Sequence, residues 1–111
     1  MKLAIVGSRG IEDINLDEYI SNDVTEIVSG GARGIDSVAA EYARKRGTAL
    51  TEFLPKYNMY GKAAPIIRNR EIAEYAEECL AFWDGKSRGT KSTISFFESL
   101  GKKVRVIIIP K

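Results

Sequence analysis

The 111-residue chain contains no histidine. That absence excludes Ser-His-Asp and Cys-His nucleophilic machinery, and every zinc site that needs imidazole. Cysteine is almost as scarce. Cys79 is the only one, so no intrachain disulfide can form, and a reducing compartment is expected. No apolar run approaches the roughly 18 residues of a membrane span, and the N-terminus lacks a signal-peptide pattern. The expectation is a cytoplasmic protein with no membrane partner, folded as one domain over residues 1–111.

Charge is present but divided. Hydrophobic residues make up 44% and charged residues 29%, the balance of a globular protein. Residues 1–55 carry 6 Lys/Arg against 9 Asp/Glu, and residues 56–111 carry 11 against 6. The overall pI near 8.7 is milder than that of a dedicated duplex binder. The acids at Glu12, Asp13, Asp17 and Glu18 read as a solvated helix face and not a metal site. Magnesium is expected only with the phosphates of a bound ligand.

Two periodicities alternate along the chain. Short apolar runs at residues 3–6, 25–28, 48–53, 79–83 and 104–109 read as five buried strands. Helical spacing is found near residues 16–20, from Ile35 to a stop at Gly47, and over residues 65–76 and 92–100. Pro65 suits a first helical position, where its missing N–H is not required. Residues 56–64 read as an irregular, mobile loop. The alternation predicts an α/β, Rossmann-like, three-layer domain. Its sheet is five-stranded and mostly parallel, with expected order 3-2-1-4-5 and helices on both faces. Ligands of such sheets bind beyond the carboxyl ends of the strands, where strand order reverses, here between strands 1 and 4.

Three glycine-bearing segments follow strands and should emerge at that edge: Gly7-Ser8-Arg9-Gly10, Ser29-Gly30-Gly31-Ala32-Arg33-Gly34-Ile35-Asp36 and Asp84-Gly85-Lys86-Ser87-Arg88-Gly89-Thr90. Glycine permits close backbone approach and positive φ. A helix N-terminus offers free N–H groups to an anion, and arginine adds a bidentate fork. A single such loop is ordinary turn chemistry. Three at one edge, each with an arginine, describe a phosphate-binding site. None is a Walker loop or a strict G-x-G-x-x-G fingerprint, so a nucleoside triphosphatase or an ordinary NAD dehydrogenase is not supported.

The expected ligand contacts are Gly7, Ser8, Arg9, Gly30, Gly31, Arg33, Gly34, Gly85, Ser87, Gly89 and Thr90. Arg68 and Asn69, at the start of a helix, can reach back over the same site. Asp36 reads equally as a helix N-cap or a ligand contact, and Ser8 and Thr90 are further cap candidates. Tyr57 and Tyr60 either stack on a base or cover the sheet edge, while Trp83 reads as a half-buried strand end. Cys79 lies in a buried strand without a basic partner and reads as an inert thiol.

Val28-Ser29-Gly30-Gly31-Ala32-Arg33-Gly34-Ile35-Asp36 resembles the V-S-G-x-A-R-G-I-D loop of the SMF/DprA proteins. Ala64-Pro65-Ile66-Ile67-Arg68-Asn69-Arg70 and Trp83-Asp84-Gly85-Lys86-Ser87-Arg88-Gly89-Thr90 resemble the small YspA-like branch of the same SMF/DprA–LOG (SLOG) superfamily. The resemblance runs from Gly7 to the last strand. It implies a Rossmann-like domain that binds a nucleotide or nucleotide derivative at these loops, and self-association of such single domains.

LOG enzymes of the superfamily hydrolyse the N-glycosidic bond of nucleoside monophosphates, with a glutamate three residues after the Gly-Thr pair. Thr93 stands at that position here. A phosphoribohydrolase of this kind would depend on Arg33 or on an acid such as Asp84. DprA proteins bind single-stranded DNA through a larger domain with added modules, which makes a nucleic-acid module the third reading.

Overall fold

The computed structural model describes residues 1–31 and 34–110. Five strands, β1 (Lys2–Gly7), β2 (Glu26–Ser29), β3 (Ala49–Glu52), β4 (Glu78–Trp83) and β5 (Lys103–Ile108), form one sheet in the order β3-β2-β1-β4-β5. Every pairing is parallel, with Leu3 opposite Ile27 on one side and Glu78 on the other. The strand order expected from the alternating pattern is therefore present, and it reverses between β1 and β4.

Side-chain alternation along the strands builds two cores. Leu3, Ile5, Ile27, Leu80 and Phe82 face helix α1 (Ile35–Arg46), which contributes Ile35, Ala39 and Ala43. Ala4, Val6, Val28, Cys79 and Ala81 point the other way, onto α3 (Ala64–Tyr75) and α4 (Arg88–Ser99) through Ile72, Ala73, Ile94 and Phe97. Small residues on the second face, Ala4, Ala73 and Ala81, let those helices lie close to the sheet. Phe82 and Phe97 are the largest fully buried side chains, one in each core. Truncating either to alanine costs about 3–5 kcal/mol. Among the described residues no helix is long and apolar enough to cross a membrane.

Helix ends follow local chemistry. Gly47 closes α1 in the left-handed conformation at φ 66°, and its N–H reaches the carbonyls of the last turn. Pro65 sits in the first turn of α3. The last turn of α3 has no basic residue of its own, and Lys102 fills that role from β5's approach. Its ammonium donates to the carbonyls of Ala73, Glu74 and Ala76 at 2.7, 3.1 and 2.8 Å.

Three local expectations are corrected. The stretch near residues 16–20 is a single 3-10 turn, Leu16–Glu18, capped by the Asn15 side chain accepting from the Asp17 N–H. Ile11 and Leu16 are the only fully buried apolar residues between β1 and β2, too few to hold a helix on the sheet. Residues 56–64 are not an irregular loop. They form a one-turn helix α2 (Tyr57–Tyr60) and a 3-10 turn (Gly61–Ala63) that lead directly into α3. Helix α4 begins at Arg88, four residues before the apolar spacing starts, because Ser87 caps it with its hydroxyl accepting from the Thr90 N–H. Caps are thus supplied by Ser87 and not by Ser8 or Thr90. Asp36 lies one residue inside α1, whose N-cap is Gly34.

Candidate functional site

A cleft of about 180 Å³ opens at the carboxyl ends of β1 and β2, between them and the starts of α3 and α4. Its lining includes Gly7, Arg9, Gly30, Arg68, Asn69, Ser87, Gly89 and Thr90, all expected site residues. It also includes Asp36, Thr93, Val6, Pro65 and Ile72. Ser8, Gly31, Gly34 and Gly85 are not part of that lining. Arg33 lies outside the described residues.

The two strand ends approach closely because glycine leaves room. A Cβ on Gly7 would fall 2.5 Å from Ile35 Cγ2 and 2.8 Å from the Phe82 carbonyl oxygen. Gly34 takes φ 75°, and a Cβ there would meet the Arg9 carbonyl oxygen at 2.4 Å. The first and second glycine loops therefore touch backbone to backbone, which brings Arg9 to the cleft. Gly85 also has positive φ but faces open space, consistent with a turn.

Ser8 is buried and holds the first loop to the third. Its N–H donates to the Phe82 carbonyl at 3.0 Å, and its hydroxyl accepts from the Asp84 N–H at 3.2 Å. Asp84 in turn accepts from the N–H groups of Ser87 and Lys86, both at 2.8 Å. Those amides hold its carboxyl below the usual aspartate range. Asp84 organises the loop and does not line the cleft. Trp83 is half-buried, and its indole N–H donates to the Ser87 carbonyl at 3.0 Å, fixing the residue that caps α4.

Arg68 is the central cation. Its Nε donates to Asn69 Oδ1 at 2.9 Å, and Nη1 donates to the carbonyls of Gly30 at 3.0 Å and Phe53 at 3.4 Å. Nη2 makes no hydrogen bond to a described residue. Burial pulls the guanidinium below its ordinary value, the Asp36 carboxylate raises it again, and Arg9 opposes it by like charge. Asn69 completes the link to the opposite wall, donating to the Gly89 carbonyl at 3.4 Å. The guanidinium is therefore held in a fixed orientation, with Nη2 unbonded among the described residues.

Across the cleft stands the first turn of α4. Its leading N–H groups have no helical carbonyl to receive them, and the dipole makes that end positive. Thr90 is buried, its hydroxyl 3.3 Å from that of Ser87. Thr93 is buried one turn further and donates to the Gly89 carbonyl at 3.2 Å. An anion placed here meets cations, oriented amides and hydroxyls. Asp36, buried and the only carboxylate among the described lining residues, supplies a negative pole beside Gly30.

Sequence reasoning missed part of this lining. Ile72 follows Arg68 by four positions and Asn69 by three, and Thr93 follows Thr90 by three, so helical spacing alone places them on the same faces. Of the two readings open for Asp36, helix N-cap or ligand contact, the cap falls to Gly34 and Asp36 lines the cleft. Tyr57 and Tyr60 are exposed outside the cleft lining.

No family model matches the chain, and no solved structure matches it. It is similar to the Gene 61 protein of Mycobacterium phage D29, 39% identical over 71 residues. That match takes in 59% of this chain and 57% of the phage protein. The chain thus spans a little over half the length of this curated relative.

Proposed function

We propose that the protein binds a phosphorylated nucleotide or a nucleotide derivative in this cleft, as a member of the SLOG superfamily. The observation that carries the reading is Arg68. It is held by three hydrogen bonds, its Nη2 has no hydrogen-bond partner among the described residues, and it faces the amide end of α4 across a cleft at the reversal of strand order. A phosphate there would also offset the like-charge opposition of Arg9 to Arg68. The motif resemblance of the three glycine loops supports the same reading.

A second reading, N-glycosidic hydrolysis of a nucleotide, is favoured by one feature. Asp36 places a carboxylate in the cleft even though Thr93 stands where the LOG enzymes carry glutamate. Single-stranded nucleic acid is the third ligand class to be tested, and pairing of two copies of the chain belongs to the same proposal.

The test is thermal denaturation at fixed salt with AMP, ADP, ATP, NAD, ADP-ribose, cyclic nucleotides and a short single-stranded oligonucleotide, followed by chromatography of the recovered ligand. A ligand at a hundred times its Kd adds about 2.7 kcal/mol. The midpoint then rises by on the order of 10 °C for a domain of this size. A rise with intact nucleotide supports binding, and a rise with released base supports hydrolysis. A rise with the oligonucleotide alone moves the assignment to nucleic acid, and no rise with any of them contradicts the proposal.

A further inference from the structure

We infer that a hollow at the opposite pole of the sheet is a second ligand site, which takes an α-amino acid with an apolar side chain. It shares no lining residue with the cleft and stands independently of the nucleotide reading.

Strand register is the first argument. Leu3, Glu78 and Lys103 lie side by side across β1, β4 and β5, and Leu80 and Arg105 are partners in the same-facing row that follows. Alternation therefore turns all five side chains to the face that carries the α1 core, to which Leu3 and Leu80 belong. On that face α1 packs on β1, β2 and β3. The connection before β2 reaches over β4 through Tyr19, which meets Phe82 edge to face at 5.2 Å. Beside Tyr19 a hollow of about 270 Å³ is left at the amino ends of β1, β4 and β5. Leu3 and Leu80 are its buried floor, and Val24 joins Tyr19 in its walls.

The charges around that apolar floor are the second argument. Glu78 is half-buried and is the only carboxylate among the described lining residues. Its side chain makes no hydrogen bond or ion pair to a described residue, and Lys103 stands opposite it across the ladder beyond ion-pair distance. Arg105 gives Nη2 to the Tyr19 carbonyl and lies 5.8 Å from that ring's centroid, while Nε and Nη1 bond to no described residue. Asp23, the other acid nearby, is committed to the Ser21 hydroxyl. That bond, ahead of the N-terminal ammonium and Lys103, holds its carboxyl below the ordinary value. Two cations on one strand and one face suit a carboxylate, and Glu78 suits an ammonium. The buried leucines suit an apolar side chain. The hollow is smaller than the roughly 300–1,000 Å³ pockets of drug-sized ligands, so all three groups belong to one compact molecule. An apolar α-amino acid carries them together.

The experiment is amide chemical-shift titration of the ¹⁵N-labelled full chain, at neutral pH and one salt concentration, with leucine, isocaproate, isoamylamine and glycine. Leucine is expected to give saturable shifts at Leu3, Glu78, Leu80 and Arg105. Each of the other three lacks one of the recognised groups and should bind more than about tenfold more weakly. Glu78→Gln should bring leucine down to the level of isocaproate and leave isocaproate no weaker. Arg105→Gln should weaken leucine and isocaproate together and leave isoamylamine unchanged, which also reports that this variant is folded. Leucine that gives no saturable shift at these amides, or that binds no better than isocaproate, overturns the inference. So does wild-type leucine affinity in Glu78→Gln. The charges then serve only to keep the β5 edge from pairing with another strand.

Discussion

Arg68 Nη1 donates to the Gly30 carbonyl at 3.0 Å, and a Cβ on Gly30 would lie 2.5 Å from that same nitrogen. The strand end and the helix side chain are thus fitted to one another through a missing methyl group. Gly30 has no positive φ, so its backbone accepts alanine, and the atom a methyl would strike is the far end of a flexible side chain. Gly30→Ala should therefore leave the melting midpoint within a few degrees of wild type while displacing the guanidinium. Nucleotide affinity is expected to fall at least about tenfold, measured by calorimetry. Arg68→Lys should do the same, because an ammonium cannot hold Asn69, Gly30 and a ligand with one planar fork.

Gly7→Ala should behave in the opposite way. Its Cβ meets a buried isoleucine and a strand carbonyl, neither of which can swing aside. Overpacking of this kind costs about 1–3 kcal/mol, visible as a lower midpoint in urea denaturation without change of slope.

Lys102 places one ammonium on three carbonyls at the end of α3. Replacing it with methionine keeps most of the aliphatic stem and removes the charge-assisted bonds. A loss of about 1.5–3 kcal/mol in chemical denaturation is expected, with ligand affinity little changed because Lys102 is not in the cleft lining.

Burial in the second core pushes the Cys79 thiol well above its ordinary value. The native protein should not react with a thiol reagent at neutral pH on the timescale in which the urea-unfolded chain is labelled completely. Rapid labelling of the native form would contradict the packing described.

Glu26 accepts from the Tyr75 hydroxyl at 2.5 Å and from the Thr51 hydroxyl at 2.8 Å, and these bonds hold its carboxyl below the ordinary 4.5. A depressed carboxyl stabilises the fold fully at pH above that ordinary value, and the contribution fades as the pH falls through the lower, folded value. Glu26→Gln should therefore be less stable than wild type at neutral pH, and the difference should shrink on acidification below about pH 4.5, followed by denaturation at a series of pH values.

The sheet was legible because each strand is a short apolar run and each crossover after β2 carries helical spacing. The connection between β1 and β2 was not, since Leu16 and Ile20 imitate helical spacing while Ser21-Asn22-Asp23 supply turn formers directly after them. Likewise Pro55 and Gly61 mark residues 56–64 as irregular, although one helical turn fits between them. The glycine loops could be placed at one edge from sequence. Which of their residues meet in a cleft depends on long-range contacts, such as Gly34 against Arg9 and Ser8 against Asp84, that no local pattern carries. Asp36 belongs to this class. Its identity was visible, but its burial beside Gly30 follows only from how α1 docks on the sheet.

The central claim is the location of nucleotide binding, and amide chemical-shift mapping of the ¹⁵N-labelled chain titrated with AMP tests it most directly. The account predicts saturable shifts centred on Gly7, Gly30, Arg68, Gly89 and Thr90, with the amides around Glu12, Asp17 and Tyr42 unaffected. Shifts centred instead on Glu12, Asp17 and Tyr42, or no shifts at saturating AMP, would contradict it.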